Sequence, residues 1–311
     1  MNRLAQGLCA VLLLASPPLL AAQKEHADRA LQRELEGLTR GFHGDVGIYV
    51  HHLRTGATAA VRADEAFPTA SMIKVPIMVA VFDRMARKEI AFTDTAPEPR
   101  AVAKYPEGDL VAQLADTARV ELSRLLTMSL TFSDNTASLW LQQIAGGGTT
   151  INGWLERNGF ETTRVNARTA GREASYDSLG WGQTTPREMA RLATMIREGK
   201  AVSPAASEEM YRTMTRSYWT GQALSQLPPT VQAASKQGAV DRSRSEVLVV
   251  NAPSGDYVFC AITKNQADTS YAADNEGYEL LRRISALLWR RFEPKHPWKP
   301  ADGAEAFKPA G

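Results

Sequence analysis

Cysteine is almost missing from this chain: Cys9 and Cys260 are the two among 311 residues. Cys9 falls in an N-terminal segment that reads as a leader, which leaves one thiol. An internal disulfide is therefore excluded, and the fold must rest on its apolar core. Cys260, inside the apolar run 257–263, reads as a small buried side chain. Charge of one sign is missing too. Lysine and arginine total 36 against 34 acids, a formal net charge of +2. No basic stripe is interleaved with aromatics, so nucleic acid is not indicated as a partner. The five histidines are scattered. His51-His52 is their only cluster, and on a strand the two would face opposite sides. With no zinc spacing, a metal centre is not expected and metallo-hydrolase chemistry is disfavoured. Long apolar runs are lacking as well. The N-terminal run 8–15 is preceded by Arg3, the only charge in the first 22 residues, and followed by Ser16-Pro-Pro-Leu-Leu-Ala-Ala22. It is too short for a membrane span. A basic start, an apolar core and small residues mark a Sec-type export signal, with cleavage expected near Ala22 and an uncleaved anchor as the alternative. The mature chain is then expected in the periplasm or secreted, with no stable membrane insertion.

What is present is a pattern of elements. Residues 24–40 carry Leu31, Leu35 and Leu38 at helical spacing, with Gly41 as a stop. Residues 45–53 and 57–62 flank Arg54-Thr-Gly56 as a hairpin. The block from about 72 to 220 is mostly helical. Its clearest helices are 120–130 and 136–144, the latter ending at Gly146-Gly-Gly148. Strands return after Lys236, at 246–251 and 257–263 around the turn Pro253-Ser-Gly-Asp256, and a closing amphipathic helix covers 276–292. Strands and helices from both chain ends, with a helical block between them, imply an α+β fold. Its antiparallel sheet would be flanked by terminal helices, with an inserted all-helical lobe. The expected domains are a signal at 1–22, one two-lobed catalytic domain at 23–293, and a flexible tail at 294–311.

Three short motifs carry chemistry. Ser71-Met-Ile-Lys74 sits at the start of a helical stretch, where spacing i, i+3 puts both side chains on one face. A serine hydroxyl needs a neighbouring base to become a nucleophile, and a lysine whose pKa is lowered by burial can serve. Ser133-Asp134-Asn135 lies between two helices, where an N-cap is the plainer reading. Lys236-Gln237-Gly238 lies on a strand beginning near Ser235, and Gly238 permits close approach of another backbone.

In order and spacing these motifs resemble the S-x-x-K, S-D-N, K-T-G set of class A serine β-lactamases and their penicillin-binding relatives, over nearly all of the mature chain. Gln237 departs from that set, standing where a short hydroxyl belongs. The resemblance implies the serine β-lactamase/transpeptidase-like fold and an acyl-Ser71 intermediate. It also implies a small-molecule substrate (a β-lactam or a D-amino-acid amide like those of peptidoglycan), no cofactor, and a monomer. By the same resemblance Lys74 activates Ser71, Ser133 relays a proton to the leaving nitrogen, and Asn135 holds the substrate amide. Asp134 is structural, and Lys236 helps bind the substrate carboxylate. The N–H groups of Ser71 and Ala239 form the oxyanion hole. Arg242 or Arg244 supplies a carboxylate clamp, with Arg244 preferred, or both are exposed. Tyr105 falls beside the cleft mouth or packs in a loop.

The family's β-lactamases use a loop glutamate to activate the water that releases the acyl group. Gly159-Phe-Glu-Thr-Thr-Arg164 and Thr184-Thr-Pro186 resemble the two sides of that loop. A gapless match puts Thr169 at the glutamate's place, and threonine cannot activate water there. Shifting by four residues offers Glu173, followed by Tyr176-Asp177, either as the base or as a solvated loop acid. The implied activity is β-lactam hydrolysis. The alternative is a penicillin-binding protein, carboxypeptidase-like or slow in releasing its acyl group.

Overall fold

Four eight-residue strands carry the architecture. A computed structural model describes residues 24–97, 104–115 and 117–309, so the expected signal segment lies outside the described residues. The chain opens with β1 (His26–Ala27) and α1 (Arg29–Thr39). Asp28 caps α1, its carboxylate accepting from Ala30 N and Leu31 N, so this helix starts later than its leucine spacing alone implies. The expected hairpin follows as β2 (Asp45–His52) and β3 (Ala57–Val61).

The central block holds β4 (Phe67–Pro68), α2 (Lys74–Ala86), α3 (Leu122–Thr127), α4 (Asn135–Ile144) and α5 (Gly147–Arg157). Then come β5 (Arg164–Val165), α6 (Glu173–Leu179), β6 (Gly182–Thr184), α7 (Pro186–Arg197) and α8 (Pro204–Met214). The glycines after α4 make a corner: Gly146 and Gly147 take positive φ, and α5 starts at once. The return half is β7 (Ala233–Val240), β8 (Ser243–Val250), β9 (Tyr257–Lys264) and α9 (Glu276–Phe292).

The large sheet has the order β1-β3-β2-β9-β8-β7, antiparallel except for the β1–β3 pair. One face puts Ile48, Val50, Leu248, Tyr257 and Phe259 against α1 and α9. The other puts Tyr49, Val247, Val249, Val258, Cys260 and Ile262 into a second core shared with α2, α4, α5 and α7. Because both faces are covered, the strands read as continuous apolar runs. The segment after Pro294 lies back on this assembly. His296 O accepts from Trp289 Nε1, Trp298 packs against the α9-side core, and Ala304–Phe307 makes a 3-10 turn.

The central block is not purely helical. β4, β6 and β5 form a small antiparallel sheet, with Phe67 opposite Thr184 and Arg164 opposite Gln183. Thr69 N also donates to Gly182 O at 2.9 Å. These pairings tie the residues just before Ser71 to the segment that follows α6.

Candidate active site

Ser71 sits in a 3-10 turn, Ala70–Ile73, that leads directly into α2. Ala70, just before it, has φ of +43°, a left-handed conformation that costs a non-glycine residue energy. The turn is pressed against β7. A Cβ on Gly238 would lie 2.8 Å from Ser71 N and 2.7 Å from Thr69 O, so only glycine fits that strand position.

Lys74 opens α2 and is fully buried. Its Nζ donates to Ser133 O, to Ser133 Oγ at 3.0 Å and to Asn135 Oδ1 at 2.7 Å. Burial pulls its pKa from 10.5 down to about 7, against the opposing charges of Asp109 and Asp134. Near neutral pH a large fraction of Lys74 is therefore free amine, the form that can take a proton.

Ser133 reaches this position through two irregularities. α3 runs on into a π-helical turn, Met128–Phe132, and Ser133 itself has φ of +63°. Asp134 then caps α4, accepting from Ala137 N at 2.7 Å and from Val111 N at 2.8 Å, and so it is structural. Lys236 is also fully buried, and its Nζ donates to Ser133 Oγ at 3.0 Å. Burial and the neighbouring Lys74 push it well below the ordinary lysine range. One hydroxyl thus stands between two amines.

Gln237, unexpected in the motif, folds back so that its Oε1 accepts from Lys236 Nζ at 2.5 Å, and its carbonyl accepts from the same amine at 2.8 Å. It supplies a neutral acceptor for a buried amine. Behind it, buried Glu246 accepts from Ser235 Oγ and from Ala223 N, each at 2.7 Å, and burial raises its pKa to about 7.

Ser71 opens into a cleft of about 460 Å³ with Tyr105, Asn135, Trp181, Ala239 and Arg242 among its walls. The structure therefore gathers Ser71, Asn135, Ala239 and Tyr105 in one cavity, with Lys74, Ser133 and Lys236 buried behind them. Tyr105 is 43% exposed at the mouth, held through its backbone N–H by Thr136 Oγ1.

Two expectations are corrected. Arg244 does not face the cleft. It is fully buried, with its guanidinium bonded to the carbonyls of Val240, Ser243 and Ser270 and lying over Tyr271 and Tyr278. The reason is register: on β8 the side chains of Ser243, Ser245 and Val247 take the cleft side, and Arg244 takes the other. Arg242, in the β7–β8 turn, lines the cleft in its place. Glu173 does not line the Ser71 cleft either. It is in the first turn of α6, accepts from Gly171 N, and lines an adjoining cavity of about 510 Å³ with Tyr176 and Asp177. Thr169 is buried toward Gly148, with its hydroxyl donating to Ala167 O. No carboxylate is found among the described residues that line the Ser71 cleft.

Trp181, which motif reasoning missed, borders both cavities, and its ring centroid lies 5.6 Å from Lys74 Nζ. Nothing in the local sequence flags it, because its place depends on the β4–β6 pairing. Asp109 was missed as well. It holds Thr136 N at 2.6 Å and Thr136 Oγ1 at 2.8 Å, fixing the start of α4.

This geometry defines a class: a serine at a cleft with two fully buried lysines behind it, on an α+β fold. The chain belongs to the β-lactamase enzyme family, whose sequence profile matches residues 30–292. It is similar to β-lactamase AER-1 of Aeromonas hydrophila, 24% identical over 294 residues, which are 92% of this chain and 94% of that protein. It is also similar to a β-lactamase of Mycobacterium tuberculosis, 27% identical over 267 residues, 82% of each chain. Among solved structures, that of PBP-A superposes with a TM-score of 0.77 at 25% identity, over 88% of this chain and all of that one. A β-lactamase from Sphaerobacter thermophilus gives 0.75 at 22% identity, over 87% of this chain and all of that one.

Proposed function

We propose that this protein is an exported serine hydrolase that opens β-lactam rings through an acyl-Ser71 intermediate. Ser71 Oγ attacks the lactam carbonyl and its proton passes to the Lys74 amine. The ring C–N bond then breaks. The nitrogen takes the Ser133 hydroxyl proton, which Lys74 or Lys236 replaces. Water finally cleaves the ester and restores Ser71. The backbone N–H groups of Ser71 and Ala239 hold the developing oxyanion, and Asn135 and Tyr105 border the substrate's amide side chain.

The observation that carries this reading is Ser133 Oγ at 3.0 Å from both Lys74 Nζ and Lys236 Nζ, behind a cavity that contains Ser71. The family membership and the relatives' names as β-lactamases support the same chemistry. Arg242, at the cleft wall, takes the substrate carboxylate in place of Arg244. Because Glu173 stands outside that wall, release of the ester is the slower half of the cycle. No helix among the described residues is long and apolar enough to cross a membrane. The basic and apolar start of the sequence is the basis for proposing export.

Time-resolved intact mass with a penicillin and a chromogenic cephalosporin tests the reading. The expected result is a mass adduct on Ser71 that forms quickly and clears slowly over many turnovers. A Ser71→Ala chain that still labels would overturn it. An adduct persisting at one equivalent would convert the enzyme to a penicillin-binding protein with a stalled second step.

A further inference from the structure

Over the fully buried Lys74 stands one side chain that no motif includes. Lys74 borders neither of the two cavities at the cleft, whereas Trp181 borders both. Its indole stands over the amine, with the ring centroid 5.6 Å from Nζ. The residue is fixed at its ring and at its backbone. Nε1–H donates to Gln142 Oε1 at 3.0 Å, and Gln142 is buried in α4 and in turn donates to Ala167 O at 2.7 Å. The Trp181 carbonyl accepts from Asn166 N at 2.8 Å and Ala167 N at 3.0 Å, while the next residue, Gly182, is stitched to Thr69. A side chain only partly buried is thereby held rigidly over a fully buried amine.

We propose that Trp181 is the positioning residue that keeps Lys74 dehydrated, so that its amine can take the Ser71 proton near neutral pH. This rests on the reading of Ser71 as the acylated nucleophile. The groups facing Lys74 fall on several elements. Ser133, Asp134 and Asn135 approach at the start of α4, Asp109 from the preceding loop, Lys236 from β7 and Trp181 from the turn before β6. Asp109 and Asp134 favour the ammonium, and dehydration opposes them and prevails. The indole face also attracts the cation, but at this separation, near the limit of such contacts, that pull is the weaker of its two effects. Removing the ring admits water from both cavities to the amine, and the ammonium gains.

The test is the pH dependence of acylation, followed by labelling with a fluorescent penicillin from pH 5 to 9. Trp181→Ala is expected to move the acidic limb upward by about one pH unit, so that acylation at pH 6 falls about tenfold while the high-pH plateau is largely kept. Trp181→Phe keeps a ring over the amine and should leave the limb in place. Trp181→Leu, a milder truncation, should shift it in the same direction and reports the effect should the alanine variant not fold. A limb that stays put in the truncated variants, with rates lowered equally at every pH, overturns the role and leaves Trp181 a packing residue. Absence of any adduct in the unaltered protein would instead bring down the acyl-serine reading itself.

Discussion

Ser133 is the residue on which the acyl-transfer argument turns, because its single hydroxyl is shared. It lies 3.0 Å from each of two buried amines, and those amines cannot both carry full charge at close range without cost. In the proposed cycle, a proton leaving that oxygen for the lactam nitrogen can be replaced from either side. Ser133→Ala should therefore slow acylation by about 10²–10⁴-fold, the range for a lost general acid, while circular dichroism stays unchanged. A rate within threefold would place the relay elsewhere. The substrate carboxylate has a residue-scale test as well. Arg242→Ala should raise KM for a penicillin about tenfold, the loss of one charge-assisted hydrogen bond, and Arg244→Lys should instead lower the unfolding midpoint, because that guanidinium is bonded to three carbonyls. At this scale the sequence was readable wherever a motif fixes the identity of a side chain. Ser71, Lys74, Ser133, Asn135 and Lys236 all converge. It was opaque where identity leaves direction open: Arg244 lies on β8 with its side chain on the face away from the cleft, whereas Arg242, two residues earlier, lies in the turn outside that alternation and meets the cleft.

Elements place these residues by departing from regularity. The nucleophile occupies a 3-10 turn rather than the first turn of α2, and the relay serine ends a π-helical turn with positive φ. Such departures put side chains where a regular helix would not, and motif spacing does not announce them. Regular elements were legible: the closing helix at 276–292 is seen as expected, and the hairpin strands agree to within a residue. The small sheet β4-β6-β5 was not, since its strands are two or three residues long and carry no alternation to read. That sheet brings Trp181 beside Lys74, so the missed element and the missed residue have one cause. β7 offers the element-scale prediction. Gly238→Ala puts a methyl within 2.8 Å of Ser71 N and Thr69 O, both backbone atoms that cannot swing aside. β7 and the Ser71 turn must then separate. Acylation should fall at least tenfold, with a destabilisation of about 1–3 kcal/mol of the size found for overpacking; an unaltered acylation rate would mean that the turn is not held by this contact.

At the scale of the molecule, the two lobes meet across buried ionisable groups, and stability must feel them. Lys74 from the helical lobe and Lys236 from the sheet both sit in the interior, and both lose affinity for protons on folding. Between about 7 and 10.5 the unfolded chain binds the Lys74 proton and the folded chain does not, so stability rises with pH across that window. Glu246 acts in the opposite sense. Its pKa is raised from 4.5 to about 7, so between those values the folded chain holds the extra proton and stability falls as pH rises. The Glu246 window ends and the Lys74 window begins near pH 7, so the contributions of these two groups change sign there. Lys74→Met removes one of the two buried lysines that contribute to the rise above that point. The loss of its hydrogen bonds to Ser133 and Asn135 offsets part of the gain. A net stabilisation of roughly 1–3 kcal/mol at pH 7 remains, the difference between a shift of several pKa units and those bonds. Urea unfolding from pH 6 to 10 should show a higher midpoint for Lys74→Met and a flatter rise above pH 7, alongside abolished penicillin labelling. A variant less stable than the parent at every pH would mean that the amine is stabilised by its partners rather than strained by burial, and the neutral base assigned to Lys74 would lose its energetic origin.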